Sequence, residues 1–88
     1  MSSVELLQKY EQVSVKTMFK ENLKKLRQEN NITQKQLALS VGMSERGIQN
    51  YELGEREPSL TVLIKLADYF NISIDYLVGR TDNPKINK

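Results

Sequence analysis

The stretch Gln34-Lys-Gln-Leu-Ala-Leu-Ser-Val-Gly-Met-Ser-Glu-Arg-Gly-Ile-Gln-Asn-Tyr-Glu-Leu53 decides the fold of this 88-residue chain. Its apolar residues recur at helical spacing on both sides of Gly42, which suits a left-handed turn position where a Cβ is unfavourable. Ala38 stands four residues before this glycine, where a larger side chain would push two crossing helices apart. Ile48 is placed to pack against it. The stretch therefore predicts two short helices joined by a tight turn, a helix-turn-helix.

The sequence around this motif predicts three further helices and no strand. A helix is expected from about Thr17 to Asn30. The remaining helices are expected to begin after capping residues, namely Thr33, Ser44, Ser59 and Ser73. Apolar residues at helical spacing form the predicted core: Leu23, Leu26, Leu37, Val41, Ile48, Leu60, Leu63, Leu66, Phe70, Ile72 and Leu77. The predicted fold class is all-α, a compact bundle of five short helices.

Two segments flank the predicted domain of residues 17–79. In residues 1–16, four apolar side chains would share one face of a helix, namely Leu6, Leu7, Tyr10 and Val13. This N-terminal extension is either a frayed tail or a short docking or dimerising helix, because so short a helix is marginal in water without a partner surface. Residues 80–88 are predicted to be a polar tail.

The composition excludes several classes of function. The chain has no cysteine, which rules out a disulfide framework and a zinc finger and makes a reducing cytoplasm the default location. It has no histidine and no phosphate-binding glycine loop, so we expect no enzyme, cofactor or metal site. No secretory leader and no apolar run long enough to cross a bilayer is found, and we expect neither a membrane partner nor a small-molecule ligand.

The charge of the chain is nearly balanced, with 13 basic and 11 acidic residues and a net charge of +2. Residues 31–57, which contain the helix-turn-helix, carry three basic and four acidic groups. A single copy should therefore attract phosphate only modestly, and tight binding to nucleic acid would need two copies.

Over residues 18–79 the chain resembles the Cro/phage-repressor family of helix-turn-helix regulators, also called the xenobiotic-response-element family. The resemblance rests on Phe19-x3-Leu23-x2-Leu26-Arg27, Thr33-Gln34-x2-Leu37-Ala38, Ile48-x2-Tyr51-Glu52-x-Gly54, Pro58-Ser59-Leu60, Leu66-Ala67 and Ile72-Ser73-Ile74-Asp75-Tyr76-Leu77. It implies a lambda-repressor-like fold and a sequence-specific regulator of transcription that binds double-stranded DNA. Such a protein is expected to be a bacterial or phage repressor that occupies an inverted-repeat operator as a homodimer, in the cytoplasm and associated with the nucleoid.

The resemblance also implies which residues meet DNA. Base-reading residues are expected at the start and on the outer face of the second helix of the motif: Ser44, Glu45, Arg46, Gln49 and Asn50. Arginine can form two hydrogen bonds with guanine, and glutamine or asparagine can pair with adenine. Glutamate can accept a hydrogen bond from the amino group of cytosine, or repel phosphate and so disfavour wrong sequences. Residues expected to contact or position phosphates are Arg27, Thr33, Gln34, Lys35, Tyr51 and Arg56. Arg27 and Glu52 look like the family's ion pair, which orients the arginine towards a phosphate.

Two alternatives stay open from the sequence. Gly47 stands where a small hydroxyl residue is more usual, so it either lets the helix backbone approach DNA closely or marks a lost contact. The protein could also be a protein-interaction module, such as an antitoxin or an anti-repressor partner, an alternative favoured by the low charge of residues 31–57. Salt separates these functions, because DNA binding weakens steeply as salt rises and an apolar protein interface does not.

Overall fold

The computed structural model describes residues 15–86, and this part of the chain folds into five helices without a strand. We number them in chain order, with bounds α1 Val15–Glu29, α2 Gln34–Val41, α3 Glu45–Leu53, α4 Leu60–Phe70 and α5 Ile74–Leu77. The all-α prediction is confirmed. The helix α1 begins two residues before the predicted start, and the interpretation of the N-terminal extension falls largely on residues 1–14, outside the described residues.

The four predicted capping residues begin their helices as expected. The hydroxyls of Ser44, Ser59 and Ser73 each accept a hydrogen bond from the backbone N–H three residues later, at 3.0 to 3.2 Å. Thr33 forms a full capping box, because Gln36 donates its N–H to Oγ1 of Thr33 and accepts the N–H of Thr33 through Oε1. These contacts satisfy backbone donors that have no partner inside the helix, so local sequence fixes where each helix starts.

A left-handed residue ends α2 and makes the turn into α3. Gly42 has φ of 69°, and the next residue, Met43, donates its N–H to the carbonyl oxygen of Ala38 at 2.8 Å. This arrangement closes α2 and makes a tight turn into α3 within three residues, as the sequence predicted. The same conformation recurs at Gly54, which ends α3.

The core is formed where α1 and α2 pack on α3, and α4 packs on α2 and α5. Its fully buried large side chains are Phe19, Leu23, Leu37, Ile48, Leu66 and Leu77. The ring of Phe19 meets that of Tyr51 edge to face, with centroids 5.6 Å apart. This contact joins α1 to α3, and so one face of α3 is held in the core.

One predicted core residue is not in the core. Leu60 is 66% exposed, and the prediction that it is buried was wrong. It is the first residue of α4, so its side chain leans back towards the helix N-terminus, beyond the turns that pack on α2 and α5. It shares the face of Ile64, which is also exposed, and not that of buried Leu66. Leu63 and Phe70 are partly buried at the edge of the core.

Side chain to backbone contacts close the far end of the bundle. Asn22 on α1 donates through Nδ2 to the carbonyl oxygens of Tyr76 and Leu77, at 3.1 and 3.2 Å. The segment after α5 folds back, because the N–H of Ser73 donates to the carbonyl oxygen of Pro84 at 2.9 Å. Within residues 15–86, no helix combines the length and the apolar character that crossing a bilayer requires.

Candidate nucleic-acid interface

The inner and outer faces of α3 have different environments. Ile48 and Tyr51 are buried against α1 and α2, which fixes the rotation of the helix. On the opposite side Arg46 is exposed, and Gln49 and Asn50 are partly exposed. Residues three and four apart lie on one side of a helix, so these three polar side chains form a single solvent-facing row. The structure thus brings together three of the five predicted base-reading residues.

The other two predicted base-reading residues lie at the start of the same helix. The Oγ of Ser44 accepts a hydrogen bond from the N–H of Gly47 at 3.0 Å and so caps α3. The proton of this hydroxyl is not used in the cap and can be donated to another acceptor. Glu45 is the first residue of α3 and is exposed. A carboxylate is favourable at this end of a helix because the unpaired N–H groups there carry partial positive charge.

A charged network ties α1, α2 and α3 together. Arg27 donates through Nε to Oε2 of Glu52 at 2.7 Å and through Nη2 to Oε1 at 3.0 Å. Its Nη1 donates to the carbonyl oxygen of Ile32 at 3.0 Å. Gln34, the first residue of α2, donates through Nε2 to Oε1 of Glu52 at 3.2 Å. The network therefore fixes the start of α2 relative to α3.

The ion pair in this network is largely withdrawn from solvent. The side chains of Arg27 and Glu52 are 14% and 4% exposed. The hydrogen bond to Glu52 raises the pKa of Arg27 above its ordinary value, and the attraction of the same carboxylate adds to it, whereas burial opposes the shift. The guanidinium has most of its donors committed inside the protein, so its first role is to hold helices in place.

A groove of about 670 Å³ lies beside this network, between α1 and the end of α3. Predicted site residues Thr33, Gln34 and Gln49 line it, together with Lys24 and Leu53. Thr33 and Gln34 stand at the N-terminus of α2. The capping box occupies the N–H groups of Thr33 and Gln36, and the helix end keeps the partial positive charge of its dipole. The groove thus joins the N-terminus of α2 to Gln49, one of the predicted base-reading residues.

The remaining predicted phosphate residues have three different settings. Lys35 is exposed on the first turn of α2, and Arg56 is exposed in the loop after α3, between two glutamates. Tyr51 is buried with its ring against Phe19, so it is a core residue. Its hydroxyl is the only polar group of the side chain that could reach a phosphate.

Sequence reasoning missed two residues that lie on this surface. Lys24 and Leu53 line the groove with Gln34 and Gln49, and neither was predicted as a site residue. The spacing of seven residues between Arg46 and Leu53 is the signal that could have found the second, because it returns to the same side of the helix after nearly two turns. Within residues 15–86, no group of acidic side chains is arranged to hold a metal ion.

Comparison with known proteins identifies the same domain. The helix-turn-helix family model matches residues 23–77, which span α1 to α5 apart from the first turns of α1. The chain is 39% identical over 69 residues to the uncharacterized HTH-type transcriptional regulator YqaE of Bacillus subtilis, covering 78% of this chain and 60% of that protein. It is 44% identical over 61 residues to the cryptic phage CTXphi transcriptional repressor RstR of Vibrio cholerae, covering 69% and 54%.

A solved structure agrees with these relatives. A transcriptional regulator from Listeria innocua superposes with a TM-score of 0.66 at 41% identity, covering 69% of this chain and 57% of that one. The chain therefore spans less than two thirds of the length of each of these three proteins. The matched domain is a DNA-binding regulatory module and not an enzyme. On the family match and these relatives, the chain belongs to the helix-turn-helix family of Cro/phage-repressor-like transcriptional regulators.

Proposed function

We propose that this protein is a sequence-specific transcriptional repressor that occupies a double-stranded operator as a homodimer. The observation that carries the proposal is the division of α3 into a locked inner face and an outer row of Arg46, Gln49 and Asn50. A helix held in this way can enter the major groove with its polar side chains already aimed at base edges. Residues 17–79 are the DNA-binding unit in this proposal.

The side chains on α3 suggest how bases are read. Arg46 can bond O6 and N7 of guanine together, and Gln49 or Asn50 can pair with N6 and N7 of adenine. Glu45 accepts the amino group of cytosine, or repels phosphate where a wrong sequence brings it close. Ser44 is anchored as the cap, so its remaining proton can be donated to an acceptor on a base or a phosphate.

Phosphate contacts would set the position of α3 in the groove. In this proposal Thr33, Gln34 and Lys35 at the start of α2 would contact the backbone of one strand, and Arg56 in the loop after α3 would contact another phosphate. Arg27 and Tyr51 would contribute only through their exposed edges. Phosphate contacts of this kind orient a protein on the duplex without reading sequence. The small net charge of +2 supports a dimer, because two units double the phosphate contacts.

Repression would follow from occupancy alone. Two copies of α3 would read half-sites about one helical turn apart, roughly 34–36 Å, on an inverted repeat. RNA polymerase is then excluded from the covered promoter, and no cofactor is needed. Such a repressor acts where the DNA of a bacterial cell lies, in the cytoplasm and associated with the nucleoid.

The first test is selection of the purified protein against randomised duplex DNA at about 0.15 M salt, followed by sequencing. Recovery of an inverted repeat supports both specific binding and dimeric use. Recovery of a single, unrepeated site would keep the DNA-binding function and contradict the dimer. If a folded preparation enriches no sequence, the repressor proposal fails and a protein partner becomes the better explanation.

A further inference from the structure

Leu53 is an exposed apolar residue at the C-terminal end of α3. Of the nine residues of α3 it is the one large apolar side chain that is exposed, at 64%. It follows Arg46 by seven residues and Gln49 by four, so it continues the row of predicted base-reading residues along the same side of the helix. A single exposed leucine is ordinary on a protein surface, and Leu39 on α2 is more exposed, at 73%. What distinguishes Leu53 is its place on the same side of α3 as Arg46 and Gln49.

The surroundings of Leu53 indicate which part of a duplex it would meet. Leu53, Gln49 and Lys24 line the same groove beside α3. Gln49 belongs to the reading face, whereas Lys24 on α1 offers a positive charge suited to a phosphate. If Gln49 meets a base edge and Lys24 a phosphate, as the proposed function requires, Leu53 would lie between base edges and backbone, at the wall of the major groove.

One chemical group of DNA is apolar and lies at that wall. The 5-methyl group of thymine projects into the major groove, and its ring carbon is two bonds from the nitrogen that carries the sugar, so it stands beside the backbone. Cytosine and the purines present no such group there. We infer that Leu53 packs on the 5-methyl group of one thymine in each half-site and so specifies thymine at that position.

This inference rests on the proposed function, since it requires that α3 enter the major groove. It adds a residue and a base preference that polar contacts do not supply. A methyl group buried against a leucine contributes a modest preference, about fourfold in affinity for each half-site.

The test uses the operator recovered by selection and the whole 88-residue chain. Each thymine of one half-site is replaced in turn by deoxyuridine, which removes the methyl group and keeps every hydrogen-bonding group. Wild-type protein should lose about fourfold in affinity at one thymine and little at the others. The variants Leu53→Ala and Leu53→Asn should bind the thymine and deoxyuridine duplexes equally well at that position.

A matched control separates this contact from a general effect of losing a surface leucine. Leu39 on α2 is 73% exposed and lies opposite the buried face of its helix. The variant Leu39→Ala should keep the full response to the methyl group. Circular dichroism should show every variant folded, because Leu39 and Leu53 are both outside the core.

The outcomes distinguish this inference from the proposed function. If the wild-type protein binds its operator and ignores every replacement, or if the Leu53 variants respond to deoxyuridine as the wild type does, Leu53 does not read thymine and the repressor proposal is untouched. A loss of self-association in Leu53→Ala, with no change in response to the methyl group, would place Leu53 at a protein interface instead. Failure to select any operator overturns both proposals.

Discussion

Glu52 receives two hydrogen bonds from Arg27, at 2.7 and 3.0 Å, and with them α3 is fixed to α1 across 25 positions of sequence. The same carboxylate accepts the side-chain amide of Gln34 at 3.2 Å. The carboxylate of Glu52 on α3 is therefore the common hydrogen-bond acceptor for side chains from α1 and α2. A change at this group should alter stability and DNA binding together.

The first prediction concerns this ion pair. Glu52→Gln keeps the shape of the side chain and removes its charge, which leaves the nearly buried Arg27 without a compensating carboxylate. We expect the free energy of unfolding to fall by about 1.5–3 kcal/mol, the usual contribution of hydrogen bonds to charged groups. Urea titration followed by circular dichroism measures the loss.

A variant at the other partner tests whether the forked geometry matters. Arg27→Lys retains the positive charge and gives up the paired donation to Glu52, so it should also be less stable than wild type. Lys24→Ala, an exposed change one turn away on α1, serves as the control and should leave stability within about 0.5 kcal/mol. Equal stability of all four proteins would show that the pair does not hold the helices.

The second prediction contrasts two glycines of the helix-turn-helix. Gly42 has a left-handed backbone, whereas Gly47 lies inside α3. Gly42→Ala should cost about 1–2 kcal/mol through strain alone, since an added Cβ meets no atom within 4 Å. Gly47→Ala should be stabilising, because alanine favours a helix interior more than glycine does. The gain should stay below about 1 kcal/mol, because the added Cβ would lie only 3.2 Å from Oγ of Ser44.

Thermal unfolding should show a lower melting temperature for Gly42→Ala and a higher one for Gly47→Ala. A Gly42→Ala variant more stable than wild type would show that the turn does not require a glycine. Gly47→Ala also separates the two interpretations of this glycine. If the backbone must approach DNA closely there, the stabilised variant should bind its operator more weakly than wild type. If the glycine is only a lost contact, operator binding should stay the same.

The sequence predicted best where the cause is local. Each predicted cap is in place, because the hydroxyl and the backbone N–H that it accepts are only three residues apart. Such a contact depends on the local sequence and not on the packing of distant elements. Leu60 was misplaced because helical spacing does not show how much of a neighbouring helix covers the first turn of α4. The bond from Gln34 to Glu52 was not predicted, since 18 residues and the relative positions of two helices separate its partners.

The third prediction separates reading of bases from contact with phosphates. Arg46→Ala should weaken binding to the selected operator by about 1–3 kcal/mol and relax the preference at one base pair. Lys35→Ala should weaken binding to all sequences alike and reduce the slope of log affinity against log salt by about 1. Titration of operator and scrambled duplexes at several salt concentrations measures both effects. If Arg46→Ala keeps the sequence preference of the wild type, Arg46 is not a base-reading residue.

The last prediction concerns the segment before α1. Deletion of residues 1–14 stops just before Val15, the first residue of α1, and leaves in place every core residue found within residues 15–86. We therefore expect the unfolding transition to be unchanged and self-association to weaken, because the apolar stripe of that segment is lost. Sedimentation velocity at several protein concentrations measures the association.

Two double variants of the whole chain serve as a matched pair. Leu6→Ser/Tyr10→Ser removes two apolar side chains of the predicted stripe and should weaken self-association as the deletion does. Glu5→Ser/Glu11→Ser changes residues largely off the stripe and should leave self-association unchanged. Sedimentation identical to wild type after the deletion would move the interface to the surface of residues 15–86.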